Sequence, residues 1–157
     1  MDAEDTRSLR HLLATRPVAA LGTLHQGEPA VSMVPFVLPA GQAAAIIHVS
    51  ALAPHTRDLL LHPRVSLLVM ADLADGDSPQ ALPRVALQAD AHPLARGTAE
   101  HAAARDGYLA RFPDSAVTFG LGDFSLVALQ PVSARLVAGF GRAHALVGPA
   151  LAEWLAG

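Results

Sequence analysis

The chain has 157 residues, of which 52% are apolar, 16% charged and 4% aromatic. This length suits one globular domain with a real core, and the composition is too apolar for a disordered chain. With 11 basic and 14 acidic residues the formal net charge is −3, so no general positive field attracts nucleic acid. Cysteine is absent, which excludes disulfides, thiolate nucleophiles and cysteine-bound metals.

The N-terminal residues are acidic and polar, and they lack the basic start and apolar run of a signal peptide. No uninterrupted apolar stretch reaches the roughly 18 residues that a membrane span needs. We therefore expect a cytoplasmic protein without a membrane partner.

Periodicity and turn residues predict helices near both ends of the chain and strands between them. Leu9, Leu12 and Leu13 share one face of a first helix, which Asp5 or Thr6 caps. Alternating or β-branched stretches bounded by Gly and Pro predict the strands. The predicted strands cover 18–24, 30–38, 43–49, 64–71, 85–91, 123–129 and 134–138, with turns at 25–28 and 39–42, helices at 50–61, 97–111 and after 148, and a solvated loop at 72–83.

The tight turns between early strands favour antiparallel pairing, because parallel strands need long crossovers. Six or seven strands with helices at the edges predict a mainly β fold, a small antiparallel barrel with peripheral helices. We assign one domain to residues 1–157, with an N-terminal helix at 1–16, the barrel at 17–143 and a C-terminal helix at 144–157.

The segment 48–57 runs from the end of a strand into the start of a helix. Such a junction offers unpaired backbone N–H groups and the positive end of the helix dipole. Ser50, His55, Thr56 and Arg57 add hydroxyl and cationic donors, so the segment is a candidate phosphate site. The alternative is that Ser50 or Thr56 satisfies local backbone groups and Arg57 is a solvated surface charge.

Other motifs carry weaker signals. The eight histidines lack metal-ligand spacing, so no metal site is predicted, although one histidine suffices as an axial haem ligand. Ser32 lacks the flanking glycines of a hydrolase nucleophile elbow. Too few residues follow Gly139-Phe140-Gly141-Arg142 for a dinucleotide-binding unit, which leaves a tight bend at the barrel rim or a backbone approach to a flat ligand.

Three blocks, GEPAVSMVPF at 27–36, HVSALAPHTRDL at 48–59 and HPRVSLL at 62–68, together resemble the pyridoxamine 5′-phosphate oxidase-related family. Asp123-Phe124 and GFGRA at 139–143 resemble, more narrowly, its haem-utilisation branch. The resemblance runs from about residue 9 to residue 143. The middle block is fairly specific in its order and spacing.

The resemblance implies a six-stranded FMN-binding split β-barrel and a homodimer with two flavin sites at its interface. Two departures from the family pattern stand out: the chain has no lysine for the phosphate-binding helix, and no C-terminal arginine-and-tryptophan segment is recognisable. Carried over by position, the implied cofactor-binding residues are Ser32, Met33, Val34 and Pro35 at the flavin ring, His48, Val49 and Ser50 at the ribityl chain, His55, Thr56 and Arg57 at the phosphate, and Gln88 from the partner subunit.

Three functions follow from these observations. The first is an FMN-binding small-molecule oxidoreductase, in which the flavin supplies the electron chemistry and no catalytic side chain stands out. The second is a haem-binding or haem-degrading iron-utilisation protein. The third is a barrel without cofactor that serves as a binding module.

Overall fold

The computed structural model describes residues 1–39 and 42–156. Residues 40 and 41, inside the turn predicted at 39–42, and residue 157 lie outside the described part. The helices are α1 (Ala3–Thr15), α2 (Pro54–Leu61), α3 (Ala99–Arg111), α4 (Ala116–Phe119) and α5 (Gly148–Ala156), with single 3₁₀ turns at Pro79–Ala81 and Pro113–Ser115. The strands are β1 (Val18–His25), β2 (Glu28–Val37), β3 (Ala45–Ser50), β4 (Arg64–Met70), β5 (Arg84–Pro93), β6 (Phe124–Gly139) and β7 (Arg142–Val147).

Six strands close into an antiparallel barrel, which confirms the predicted fold class. They lie in the order β3-β2-β1-β4-β5-β6, and the barrel closes because β3 pairs with β6 as well as with β2. At 16 residues, β6 is long enough to pair with β3 and β5 and also with β7, which extends the sheet beyond the barrel. The turn between β1 and β2 has Gln26 at φ 53° and Gly27 at φ 86°, both in the left-handed region that tight hairpin turns use.

The barrel interior holds the main core, and two terminal helices complete it. The predicted apolar face of α1 is confirmed, since Leu9, Leu12 and Leu13 are all buried in this core. Leu151 and Trp154 of α5 are buried in the same core. None of the helices in the described ranges is long and apolar enough to cross a membrane.

Helix α3 covers the outer surface of β2, β3 and β6 and forms a second, smaller core. Ala104 and Tyr108 are its buried residues, and they pack with Val37, Ile46 and Leu126. Thr98 caps the helix, because its side chain accepts a hydrogen bond from the His101 backbone N–H.

Three local predictions were wrong for identifiable reasons. The N-cap of α1 is Asp2, whose carboxylate accepts from the Asp5 backbone N–H at 2.8 Å. The strands predicted at 123–129 and 134–138 form one strand, because a β-bulge next to Pro131, where Gln88 pairs with Ser133 and Ala89 with Pro131, keeps β6 continuous. The segment 142–147, of which 144–147 was assigned to the C-terminal helix, forms β7 by pairing with β6.

Candidate functional site

A cleft opens between the β1–β2 hairpin and the first turns of α2, where the helix covers one end of the barrel. We call it the hairpin cleft; its volume is about 340 Å³. Pro54 occupies the first turn of α2, where its missing N–H costs no hydrogen bond. The cleft is lined by Thr23, His25, Ala30, Val31, Ser32, Pro54, His55 and Asp58.

A buried carboxylate organises the hairpin cleft. Asp58 is 5% exposed, and its Oδ2 accepts a hydrogen bond from Thr23 Oγ1 at 3.2 Å. Its Oδ1 lies 2.9 Å from His25 Nδ1. Because a carboxylate accepts and does not donate, this contact places the imidazole proton on Nδ1 and leaves the Nε2 lone pair available. His25 is therefore held in one tautomer.

Two further polar groups of the cleft are not used to hold the fold together. Burial lowers the pKa of His55, against the opposing charge of Asp58, so this imidazole is neutral near pH 7. The Oγ atom of Ser32 is buried and has no hydrogen-bond partner within the described part of the chain. An orphaned buried hydroxyl is costly, and a polar atom of a bound ligand would satisfy it.

An apolar trough follows the outer face of β1, β2 and β4. Its floor on β1 consists of the small residues Ala20 and Gly22, which lie opposite Met33 and Val31 on β2. Val31 is 76% exposed and Met33 64% exposed, although both are apolar. The part of the trough that also includes Leu68 and Met70 encloses about 550 Å³. Large exposed apolar surfaces of this kind mark binding sites.

The predicted phosphate site uses its hydroxyl groups internally. Ser50 Oγ donates to Asp123 Oδ2 at 2.7 Å, and Thr56 Oγ1 donates to the Ser50 carbonyl at 2.6 Å. Arg57 is exposed on α2. The two hydroxyls thus stabilise the β3–α2 junction, and the carboxylates of Asp58 and Asp123 oppose an anion there. This is the local alternative that the sequence left open.

His48 lies apart from the hairpin cleft, beneath α3 and α4. Its ring stacks on Phe119 with 3.9 Å between centroids, contacts Tyr108 edge-on, and has Nδ1 3.3 Å from Thr118 Oγ1. Burial, with smaller contributions from Arg96 and His101, lowers the pKa of His48 to about 4. A neutral imidazole in this aromatic cluster fixes helices against the barrel.

The structure therefore divides the predicted cofactor-binding residues among several places. Ser32 and His55 meet in the hairpin cleft, and Met33 lies in the trough. The alternation of a strand turns Val34 and Val49 into the barrel core, where they are 2% and 3% exposed. Pro35 is exposed on β2. Gln88 is exposed on β5, where its side-chain carbonyl accepts a hydrogen bond from Ser133. The other four predicted residues, whose positions are described above, are His48, Ser50, Thr56 and Arg57.

Sequence reasoning missed Thr23, His25 and Asp58 as a group. One signal was available: Thr23 and His25 occupy the same alternate positions of β1 as the buried Ala19 and Leu21. Polar residues on the inward face of a strand need a polar partner. The identity of that partner was hidden, because Asp58 lies 33 residues further along the chain than His25.

Residues 139–142 form a tight turn between β6 and β7, which is the bend that the sequence allowed. Gly141 has φ 73°, and Gly139 pairs with Arg142 across the turn. Arg142 folds inward, with Nη1 donating to Asp5 Oδ1 at 2.5 Å and Nη2 to the Ala138 carbonyl at 3.1 Å. The motif thus joins the turn to α1.

Comparison with known proteins places this geometry in a family. Residues 6–138 match the family model described as pyridoxamine 5′-phosphate oxidase. The chain is 37% identical over 119 residues to the non-canonical haem oxygenase HOZ of Arabidopsis thaliana chloroplasts, covering 76% of this chain and 35% of that protein. It is 30% identical over 133 residues to haem oxygenase HutZ of Vibrio cholerae, covering 83% of this chain and 73% of HutZ.

A solved structure is also similar to this chain in both fold and sequence. The haem-binding protein from Mycobacterium smegmatis superposes with a TM-score of 0.83 and 31% identity, covering 98% of this chain and 62% of that one. The chain thus spans about a third of the Arabidopsis relative and under two thirds of the mycobacterial one.

These relatives correct the main functional prediction. The sequence favoured an FMN-dependent oxidoreductase, but the Arabidopsis, Vibrio and mycobacterial relatives are all named for haem. The structure supplies a physical reason, since the hydroxyls of Ser50 and Thr56 that were assigned to the flavin bind within the chain. The resemblance itself is confirmed: the chain belongs to the pyridoxamine 5′-phosphate oxidase-related split-barrel family.

Proposed function

We propose that this protein binds haem and degrades it oxidatively. The structural observation that carries the proposal is the apolar trough on the outer face of β1, β2 and β4. The relatives named as haem oxygenases and haem-binding protein support the same ligand. Bound haem supplies iron and oxygen chemistry, while the chain supplies position, an apolar environment and limited water access.

The trough suits a flat macrocycle. Its floor is β1, and with strands about 4.8 Å apart the flanking side chains of β2 and β4 stand roughly 10 Å from each other. The small side chains of Ala20 and Gly22 keep the floor low, while Met33 and Leu68 form its sides. Burying this apolar surface under a planar ring supplies hydrophobic binding energy that needs no phosphate contact.

A second copy of the chain is the proposed cover for the trough. Val31 and Met33 remain more than half exposed in one protomer, and such a surface is typical of an interface. We propose a homodimer in which the partner closes the trough over the ligand. Sedimentation at micromolar concentration tests this: a dimer is expected, and a monomer that still binds haem would contradict the closure.

The proposed activity requires dioxygen and a reductant of the ascorbate class. In air with ascorbate, the haem complex should lose its Soret band and release iron to a chelator, and the same mixture without oxygen should not. Val31→Glu should weaken haem binding at least tenfold, because it buries a charge in the trough. Val117→Glu is the matched control: Val117 is 75% exposed but lies on α4, outside the trough.

Four outcomes decide the proposal. Oxygen-dependent iron release supports haem degradation. Stable haem binding without ring opening would reduce the function to haem binding. Equal haem affinity in Val31→Glu and Val117→Glu would remove the trough from the site, and the absence of binding would favour a barrel that acts as a binding module.

A further inference from the structure

We propose that Arg16 binds the propionate carboxylates of the haem and that Asp72 competes with them for the same guanidinium. This inference rests on the proposed haem function and fixes the direction in which the haem lies in the trough. The carrying observation is that Arg16 and Asp72 line the same cavity of about 550 Å³ as Met33 and Leu68.

Arg16 stands at one end of the trough. It lies between α1 and β1, and its backbone N–H donates to the Leu12 carbonyl at 3.0 Å, so the helix end holds the base of the side chain. Among the described residues that line the cavity, it is the only one with a positive charge. Haem is an apolar ring that carries two carboxylates on one edge. A ring over Ala20 with its carboxylate edge toward Arg16 matches both parts of the cavity.

The contact with Asp72 shows how Arg16 receives a carboxylate. Nη1 donates to Oδ2 at 2.6 Å, and Nη2 donates to Oδ1. This bidentate arrangement is the one in which guanidinium groups bind carboxylates most strongly. A propionate ends in the same group as the side chain of Asp72. The guanidinium is therefore already oriented, at the wall of the cavity, for the group that the haem would bring.

Asp72 can leave this contact at little cost. Its side chain is 83% exposed, whereas that of Arg16 is 27% exposed, and it follows the end of β4 by two residues. Ion pairs with such an exposed partner contribute little to stability, because water solvates and screens them. A haem also buries its apolar ring in the trough, which Asp72 does not do. The propionate should therefore displace Asp72, and Asp72 should lower the apparent affinity for haem.

The nearby Arg84 is less available to a ligand. It lies on β5 opposite Met70, and its Nη1 donates to the Leu82 carbonyl at 2.8 Å. Its guanidinium thus holds the segment that leads into its own strand.

A second arginine–aspartate pair on the sheet provides a matched comparison. Arg64 Nε donates to Asp90 Oδ1 at 2.6 Å, and Nη2 donates to Oδ2 at 3.2 Å. Neither Arg64 nor Asp90 is among the residues that line the cavity. The two pairs therefore share their chemistry and differ in their place relative to the trough.

The test compares ferric haem with its dimethyl ester, which lacks both free carboxylates, in absorption titrations of the full chain. Arg16→Ala should bind haem roughly tenfold more weakly than the wild type and bind the ester equally well. Arg16→Lys keeps the charge but loses the bidentate contact, so its haem affinity should lie between the two. Far-ultraviolet circular dichroism checks that each variant is folded.

Asp72→Asn should change haem binding in the opposite direction. Because it removes the competing carboxylate, it should bind haem about two- to fivefold more tightly and leave the ester unaffected. If the pair only supported the structure, Asp72→Asn would weaken binding as Arg16→Ala does. Asp90→Asn removes one negative charge from the matched pair and should change the affinity for neither probe.

The remaining outcomes separate this inference from the proposed function. Equal loss of haem and ester binding in Arg16→Ala would show that Arg16 shapes the trough without binding propionate, and would overturn the inference. A larger loss of haem binding in Arg64→Ala than in Arg16→Ala would reverse the haem in the trough and overturn it as well. Failure of the wild-type chain to bind either probe would overturn the proposed function, and this inference with it.

Discussion

The guanidinium of Arg142 lies across Gly139 and reaches the buried carboxylate of Asp5 at 2.5 Å. A Cβ added at Gly139 would lie 2.7 Å from Nη2 of Arg142, so a glycine is needed for the arginine to take this path. Asp5 is on α1 and only 4% exposed, whereas Arg142 begins β7. The relationship explains the Gly-Phe-Gly-Arg motif as a connection between the first helix and the β6–β7 turn.

Removal of this connection should destabilise the fold. Arg142→Ala leaves the Asp5 carboxylate buried without its guanidinium, at a cost of about 1–3 kcal/mol in the free energy of unfolding. Gly139→Ala should cause a comparable loss in the wild type and much less in the Arg142→Ala background, because its effect acts through the displaced arginine. Urea unfolding of the four proteins measures this.

The control variant for these unfolding experiments is Arg135→Ala. Arg135 is on the exposed side of β6, so its removal should change the free energy of unfolding by less than about 0.5 kcal/mol. Additive losses from Gly139→Ala and Arg142→Ala would show that the glycine serves the turn alone.

His48 should make stability fall on mild acidification. Its pKa is about 4 in the folded chain and about 6.5 when unfolded, so between these values only the unfolded chain takes up the proton. Stability from this group is complete above pH 6.5 and is lost as the pH falls toward 4. With allowance for partial solvent access, the loss is about 1–2 kcal/mol.

The measurement is urea unfolding at pH 7 and pH 4.5, followed by the fluorescence of Trp154, the single tryptophan. His48→Phe keeps an aromatic ring beside Phe119 but cannot titrate, so its stability should fall less over this range. Equal pH dependence in His48→Phe and the wild type would show that His48 does not contribute.

Tyr108 should ionise only at high pH, because its burial on the inner face of α3 raises its pKa to about 12. It is the only tyrosine in the chain, so the ultraviolet absorbance of phenolate reports this residue alone. The unfolded chain loses the proton near pH 10, and stability should therefore fall as the pH rises from 10 toward 12. A titration in denaturing urea is the control, and a midpoint near 10 in the folded protein would contradict the burial.

The sequence predicted the barrel well because burial alternates along most strands. It failed at 130–133, which lay outside the two predicted strands, and at 144–147, which was assigned to the C-terminal helix. Tertiary pairing with β5 and β6 decided both segments.

The candidate site was predicted only in part. Ser32, Met33 and His55 could be named because they lie in blocks of recognisable order. The pairing of His25 with Asp58 could not be read from spacing, since it depends on how α2 packs against β1. The internal use of the Ser50 and Thr56 hydroxyls also emerges only when β3, α2 and Asp123 come together.

Parallel equilibrium titrations with ferric haem and with FMN, each followed by desalting, test the central claim most directly. We expect a saturable Soret shift that survives desalting, and no retained flavin. A retained flavin double band, together with haem uptake that does not saturate, would contradict the haem function and indicate an FMN-binding protein instead.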